Sequence, residues 1–297
     1  MGLTDRRRAI VLFGDSLTQR SFDPAGGWGA ALAHAYGRRC DVYNRGYGGY
    51  NTRWCRSQLP HLFPVDNSER PLLVTVMLGT NDAAIPDVAP EAYVSLEEYR
   101  DNLTAIVRHV QRSAKHVLVV TPPCMDEVQR LRFQVDTYGE KAIGVLDRSN
   151  ANTAKYAAVA KEVAEARGVS CVDLFAITAA AGGGAHVGDG LFTDGIHFSA
   201  RGQELVFAAI TACLRAMPGA STLDPENMDP DWPFGPELRV NPEAWKDVMA
   251  AHEGRMVVTP TLRGNSTGAA SLGLAEVLVA LGAAVAGALL VRATERR

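Results

Sequence analysis

Short apolar runs alternate with longer amphipathic segments along residues 9–216. Several of the runs have almost no polar position, which is typical of parallel strands buried on both faces of a sheet. The runs lie at 9–13, 40–43, 72–78, 117–121 and 169–174. Segments with the length and composition of helices lie at 27–37, 96–113, 150–167 and 200–216. This alternation predicts an α/β fold, with a parallel sheet covered by helices on both faces.

Beyond the last predicted helix the hydrophobic pattern changes. We divide the chain into a domain at 1–217, a proline-rich extension at 218–268 that wraps the domain or is partly disordered, and an apolar tail at 269–297. Within the tail, 272–291 approaches the roughly 20 apolar residues that span a bilayer, although Glu276 interrupts it. Two interpretations stay open, a helix that packs on protein and a C-terminal membrane anchor.

The composition is that of an ordinary soluble chain. Of 297 residues, 47% are hydrophobic and 21% charged, and the net charge of −3 gives no reason to expect a nucleic-acid partner. Dispersed cysteines without a CxxC pair predict reduced, buried thiols rather than a disulfide framework or a zinc site. The first apolar run is too short for a secretory signal, so we expect a cytoplasmic protein, associated with a membrane only if its tail inserts.

The first apolar run ends abruptly on Gly14-Asp15-Ser16. Glycine permits a sharp turn, and the serine then begins a helix, where backbone N–H groups and the helix dipole favour developing negative charge. Serine is also a common helix cap, so this motif alone is equally compatible with a structural role.

Two further loops follow predicted strands. Asn44–Asn51 contains three glycines, which let the backbone approach a ligand and direct an N–H group at it, or simply make a flexible loop. It lacks the phosphate-binding signature of a nucleotide site. Gly79–Asp82 brings Asn81 to the end of the third strand, where its amide could stabilise an oxyanion or form a turn.

Asp194 and His197 lie just before the last predicted helix. A carboxylate three residues from an imidazole can hold one ring nitrogen, which fixes the tautomer and leaves the other nitrogen as a base. Together with Ser16 and the two loops, this pair completes the groups needed for acyl transfer through a covalent ester. Such chemistry requires no metal or organic cofactor. A non-catalytic binding module is the alternative from a different class.

The motifs occur in an order that resembles one family. They are FGDSLTQ at 13–19, NRGYGGYNTRW at 44–54, GTND at 79–82, TPP at 121–123 and DGIHFSARG at 194–202. The sequence is similar to the SGNH, or GDSL-type, hydrolases, and more closely to their isoamyl acetate-hydrolysing esterase-like branch. The resemblance implies a three-layer α/β/α, flavodoxin-like fold whose five parallel strands have the order 2-1-3-4-5.

The resemblance also implies roles for individual residues. The nucleophile falls on Ser16, the base on His197 and its orienting carboxylate on Asp194. The oxyanion donors fall on the backbone N–H groups of Ser16 and Gly49 and on the side chain of Asn81. These assignments predict a carboxylic ester hydrolase that works through an acyl-enzyme.

The substrate is less well defined by the sequence. Four aromatic residues close to the motifs could wall a small pocket for short, acetyl-type acyl groups, or could pack in the core: Trp28, Tyr47, Tyr50 and Trp54. A lipase or phospholipid acyl hydrolase and a sugar O-acetyl esterase are alternatives, since the same chemistry serves other esters. The expected partner is therefore a small-molecule ester, and the sequence indicates no oligomeric state.

Overall fold

The computed structural model describes residues 8–65, 70–142, 144–182, 190–217, 223–232, 234–246 and 250. Its central sheet consists of β1 (Arg8–Gly14), β2 (Cys40–Gly46), β3 (Leu73–Met77), β4 (His116–Val120) and β5 (Ser170–Val172). All neighbouring strands are parallel, and their order is β2-β1-β3-β4-β5. The predicted strand order is confirmed, and each predicted apolar run contains part of a strand.

Helices connect and follow the strands. They are α1 (Ser16–Gln19), α2 (Trp28–Ala35), α3 (Thr52–Leu62), α4 (Leu96–Ser113), α5 (Glu127–Tyr138), α6 (Asn150–Ala166), α7 (Leu174–Ala180), α8 (Ala200–Ala216) and α9 (Gly235–Val240). The four predicted helices correspond to α2, α4, α6 and α8. The sequence did not predict α7, because its first residue, Leu174, closes an apolar run that reads as a strand. Asp173 ends that strand by capping α7 through the Ala176 N–H.

Side chains of β1 alternate between the two faces of the sheet and generate three layers. Ile10 and Leu12 pack in one core with α2, α7 and α8. Val11 and Phe13 pack in a second core with α3, α4 and α6. Burial on both faces explains why β1 and β3 are almost continuously apolar.

The register of the sheet brings three strand ends to one edge. Gly14 at the end of β1 pairs with Gly46 at the end of β2 and with Met77 at the end of β3. The loops that begin there contain Ser16, Gly49 and Asn81, whereas Asp194 and His197 lie between α7 and α8. In an open parallel sheet, ligands bind outside this edge, where the strand order reverses.

Part of the proline-rich extension packs beside the C-terminal end of α2. In residues 223–232, Trp232 accepts a hydrogen bond through its backbone oxygen from Arg38 Nη2 at 2.8 Å. The backbone oxygen of Met228 accepts another from Arg39 Nε at 3.1 Å. This part of the extension therefore lies against the domain.

The predicted apolar tail, 269–297, lies outside the described residues, and so does the choice between the two interpretations of 272–291. Within the ranges given above, no helix has both the length and the apolar character needed to cross a membrane. The division of the chain into three parts stays a prediction.

Candidate active site

The turn after β1 presents Ser16 at the start of α1. Asp15 caps this helix, since its Oδ1 accepts a hydrogen bond from Leu17 N at 2.9 Å. A Cβ atom at Gly14 would lie 2.2 Å from Thr18 Oγ1 and 2.5 Å from the backbone oxygen of Met77. Only glycine therefore fits where the chain turns from the strand into the helix.

In the structure, Ser16, His197 and Asp194 form a hydrogen-bonded chain. The distance from Ser16 Oγ to His197 Nε2 is 2.9 Å, and that from His197 Nδ1 to Asp194 Oδ2 is 2.6 Å. The second carboxylate oxygen, Asp194 Oδ1, accepts the backbone N–H groups of Ile196 at 3.0 Å and His197 at 2.9 Å. Both oxygens of Asp194 are thus used to hold the histidine.

A tight turn at Gly195 makes this arrangement. Gly195 has a φ of +88°, and a Cβ atom there would lie 2.4 Å from Arg130 N and 2.6 Å from the backbone oxygen of Asp126. Asp126 N also donates to the backbone oxygen of Gly195 at 3.0 Å. The first turn of α5 therefore fixes the loop that contains Asp194 and His197.

Asp194 is ionised in this environment. Burial opposes its ionisation, but the hydrogen bonds from the His197 side chain and from the backbone outweigh that effect and hold the pKa of Asp194 well below its ordinary value. An ionised carboxylate retains the imidazole proton on Nδ1. The lone pair of Nε2 then faces the Ser16 hydroxyl.

Asn81 lies beside the glycine-rich loop that follows β2. Asn81 is buried, and its Nδ2 donates to the backbone oxygen of Tyr50 at 2.8 Å. The same loop is tied to β1, because Tyr47 N donates to the backbone oxygen of Gly14 at 2.9 Å. Gly49 lies between these two contacts and has a φ of +79°, a conformation that favours glycine.

The four aromatic residues separate into two environments. Trp28 is fully buried, and its Nε1 donates to the backbone oxygen of Leu17 at 3.2 Å. Tyr47, Tyr50 and Trp54 form an aromatic strip, with ring centroids 5.4 Å apart for the first pair and 5.7 Å for the second. Burial of Trp28 favours a packing role over contact with substrate, whereas the strip is partly exposed.

Two buried carboxyl groups lie beneath the site. Burial raises the pKa of Asp15 to about 7 and that of Asp82 to about 6, and hydrogen bonds to each oppose this effect. Asp82 accepts the Thr52 N–H at 3.0 Å, while Asp15 Oδ2 forms no hydrogen bond in the part of the chain that the structure describes. No local sequence pattern indicates that the pKa of the aspartate in the Gly-Asp-Ser turn is raised.

This environment predicts a pH-dependent effect of Asp15→Asn on stability. The pKa of Asp15 is higher in the folded than in the unfolded chain, so the unfolded chain loses this proton at a lower pH. The free energy of unfolding therefore falls as the pH rises from about 4 to about 7. The amide that replaces the carboxyl group in the variant does not ionise. Its oxygen can still accept the hydrogen bond from the Leu17 N–H. The thermal midpoint of the variant minus that of the unsubstituted protein should therefore be larger at pH 8 than at pH 4. Asp101→Asn, at an exposed position on α4, is the control. A midpoint difference for Asp15→Asn that is equal at both pH values would contradict the prediction.

The structure also reveals residues that the sequence did not indicate. Arg148 Nη2 donates to Asn81 Oδ1 at 2.8 Å. Arg148 in turn lies beside Asp147, which also binds Arg130. No local pattern marks these residues, because Arg148 and Asn81 are 67 positions apart.

The residues described by the structure contain no group of three or more His, Cys, Asp or Glu side chains arranged to hold a metal ion.

Comparisons with known proteins match this architecture. A family model described as the GDSL-like Lipase/Acylhydrolase family matches residues 12–205. A GDSL esterase/lipase of Arabidopsis thaliana is 40% identical over 230 residues, which cover 76% of this chain and 92% of the relative. The isoamyl acetate-hydrolyzing esterase 1 homolog of Homo sapiens is 36% identical over 203 residues, covering 67% of this chain and 78% of that protein. The solved lipase/acylhydrolase from Enterococcus faecalis has a TM-score of 0.50 and 25% identity, covering 68% of this chain and 93% of its own.

The family match extends over more than half of the chain and includes all the predicted site residues from Ser16 to His197. The resemblance inferred from the sequence motifs is confirmed, together with the fold that it implied. The chain belongs to the GDSL-like lipase/acylhydrolase family and is a serine ester hydrolase.

Proposed function

We propose that this hydrolase cleaves carboxylic esters through a covalent acyl-enzyme on Ser16. The observation that carries the proposal is the hydrogen-bond line from Ser16 Oγ to His197 Nε2 at 2.9 Å and from His197 Nδ1 to Asp194 Oδ2 at 2.6 Å. As Oγ attacks the ester carbonyl carbon, Nε2 accepts its proton. The negative charge of Asp194 stabilises the imidazolium that results.

The tetrahedral intermediate places negative charge on the former carbonyl oxygen. The proposed donors to it are the backbone N–H of Ser16 at the start of α1, the backbone N–H of Gly49 and the Nδ2 group of Asn81. They follow the ends of three adjacent strands, which supports a common site. One N–H of Asn81 is used by Tyr50, and an amide has a second to offer.

Collapse of the intermediate breaks the bond to the alcohol oxygen, which takes the proton from His197 as the alcohol leaves. A water molecule then gives its proton to His197 Nε2 and attacks the acyl-enzyme. The second intermediate collapses to the carboxylic acid and restores the Ser16 hydroxyl. Protons balance over the cycle without any other reactant.

We propose short, acetyl-type acyl groups as the preferred substrates. One relative is named for isoamyl acetate, a short-chain ester with an apolar alcohol. The aromatic strip (Tyr47, Tyr50 and Trp54) supplies an apolar surface on the loop and helix that follow β2. We assign it to the apolar part of the substrate, with Tyr50 and Trp54 as the binding residues.

Rates on p-nitrophenyl esters of increasing acyl length test this substrate class. We expect kcat/KM to be greatest for acetate or butyrate and to fall for longer chains. A maximum at long chains, or activity only on micelles and vesicles, would indicate a lipase instead. Activity confined to acetylated sugars would indicate a sugar O-acetyl esterase.

The aromatic strip predicts a specific effect of Trp54→Ala. Loss of an apolar binding surface should raise KM for p-nitrophenyl acetate about 3- to 10-fold and leave kcat nearly unchanged. The substitution weakens binding of the ground state and of the transition state equally. Trp245→Ala is a matched control, because Trp245 is 43% exposed against 39% for Trp54 but belongs to the C-terminal extension. Equal KM values for the two variants would contradict the assignment.

A further inference from the structure

A buried cluster of two arginines and one aspartate lies behind Asn81. Arg130, Asp147 and Arg148 are each 8% exposed. Arg130 binds both carboxylate oxygens of Asp147, with Nε at 2.9 Å from Oδ1 and Nη2 at 2.5 Å from Oδ2. Arg148 Nη1 donates to the same Oδ2. Burial opposes ionisation of Asp147, but the two arginines outweigh it and lower its pKa, so the cluster contains an ionised carboxylate.

The guanidinium of Arg148 contacts three acceptors in three directions. Its Nε donates to the backbone oxygen of Thr80 at 2.8 Å, and its Nη2 donates to Asn81 Oδ1 at 2.8 Å. The contact with Asp147 supplies the third. Arg148 therefore holds both the backbone just before Asn81 and the side-chain oxygen of Asn81. A planar guanidinium is suited to this task, because its donors have fixed relative directions.

These contacts determine which way the Asn81 amide faces. With Oδ1 bound to a cation, Nδ2 must lie on the opposite side, where it meets the backbone oxygen of Tyr50 at 2.8 Å. A flipped amide would place its N–H groups against the N–H groups of Arg148, donor against donor. A charged donor on Oδ1 also polarises the amide and strengthens Nδ2 as a hydrogen-bond donor.

The far end of the cluster is connected to the histidine loop. Arg130 belongs to α5, and the backbone of α5 packs against Gly195, between Asp194 and His197. One buried ion cluster thus supports the elements that position Asn81 and those that position His197.

We propose that Arg148 is a positioning residue for ester hydrolysis, which orients the Asn81 amide so that Nδ2 donates to the oxyanion. Asp147, held by Arg130, fixes Arg148 in turn. The inference rests on the proposed function, because Asn81 can assist only if an oxyanion forms beside it. We assign Arg148 no direct contact with the substrate, since its hydrogen bonds are to Thr80, Asn81 and Asp147.

A double-mutant cycle on the full chain tests the assignment. Asn81→Ala should lower kcat for p-nitrophenyl acetate by about 10²–10³-fold, the usual effect of losing one oxyanion donor. Arg148→Met should lower kcat about 10- to 100-fold and change KM less than about 3-fold, because only transition-state stabilisation is lost. In the Asn81→Ala background, Arg148→Met should lower kcat by no more than about 3-fold.

A general structural role predicts a different outcome. Arg148→Met would then lower kcat by the same factor in both backgrounds, and that result would overturn the proposal. An Asn81→Ala variant with unchanged kcat would overturn it as well. If Arg148→Met does not fold, Arg148→Lys replaces it in the cycle, since lysine keeps the charge but cannot bind three acceptors in one plane.

The same measurements separate this inference from the proposed function. If the unsubstituted chain does not hydrolyse p-nitrophenyl esters, or does so equally well without Ser16, the proposed function fails. If it is active through Ser16 and the two substitutions have independent effects, only the role of Arg148 fails. Thermal midpoints of all four proteins show whether each remains folded at the assay temperature.

Discussion

Ser16→Ala should lower kcat for ester hydrolysis by about 10⁴-fold or more while the protein stays folded. The substitution removes the oxygen that lies 2.9 Å from His197 Nε2, and no acyl-enzyme can form without it. It leaves the cap of α1 intact, because that cap is made by Asp15 and Leu17 N. The thermal midpoint should therefore change little.

Steady-state rates with p-nitrophenyl acetate and circular dichroism measure the two effects. Ser57→Ala is the control, since it removes an exposed serine hydroxyl on α3 whose hydrogen bond is to the backbone oxygen of Trp54. It should keep nearly full activity. Hydrolysis by Ser16→Ala within tenfold of the unsubstituted protein would contradict the assignment of the nucleophile.

Asp194→Asn should lower kcat by about 10³–10⁴-fold through a change of histidine tautomer. Oδ1 of Asp194 accepts two backbone N–H groups, from Ile196 and His197, so the amide oxygen of the variant has to occupy that position. Its NH₂ group then faces His197 Nδ1, which has to act as acceptor. The imidazole proton moves to Nε2, and this nitrogen can no longer accept the proton of Ser16.

Measured values of kcat across the pH range test this effect. Asp173→Asn is a matched control, because Asp173 also caps a helix, through Ala176 N at 3.1 Å, and also pairs with a basic side chain, Lys161. It should retain activity. An Asp194→Asn variant with kcat within tenfold of the unsubstituted protein would show that the carboxylate does not set the tautomer.

The sheet could be predicted because local sequence and tertiary environment agree along its strands. A strand such as β3, buried on both faces, requires an apolar residue at nearly every position, and Leu73–Met77 supplies them. Helix α8 was predicted with its boundaries for a similar reason, since Ser199 caps it and its apolar spacing is regular.

Helix α3 was not predicted, because its sequence conceals the pattern. Its buried residues are Thr52, Cys55 and Leu59, of which only one is a large aliphatic residue, and Pro60 lies within the helix. The helix forms because Asn51 caps it and the sheet edge requires a crossover there. That requirement comes from the tertiary structure rather than from the segment itself.

The site was predictable where its chemistry is local. Asp194 and His197 are three positions apart, and the Gly-Asp-Ser turn places Ser16 directly after a strand. The role of Arg148 could not be predicted in this way. The sequence around Arg148 indicates only that Ser149 caps α6. Its partners Thr80 and Asn81 lie in a distant segment, so its role depends on contacts that the folded chain alone creates.

Trp28 shows that a residue close to a motif in sequence need not lie in the site. It follows the Ser16 turn by only twelve positions, yet the start of α2 directs it into the core below the sheet edge. Trp54, further along the chain, is the more exposed of the two tryptophans and remains the stronger candidate for contact with substrate.

Covalent labelling with a fluorophosphonate is the most direct test of Ser16 as the nucleophile. The folded 297-residue chain is treated with a fluorophosphonate, and the modified peptide is mapped by mass spectrometry. We expect a single adduct on Ser16, slower labelling of Asp194→Asn, and no labelling of Ser16→Ala or of heat-denatured protein. An adduct on a different serine, or equal labelling before and after denaturation, would contradict this assignment.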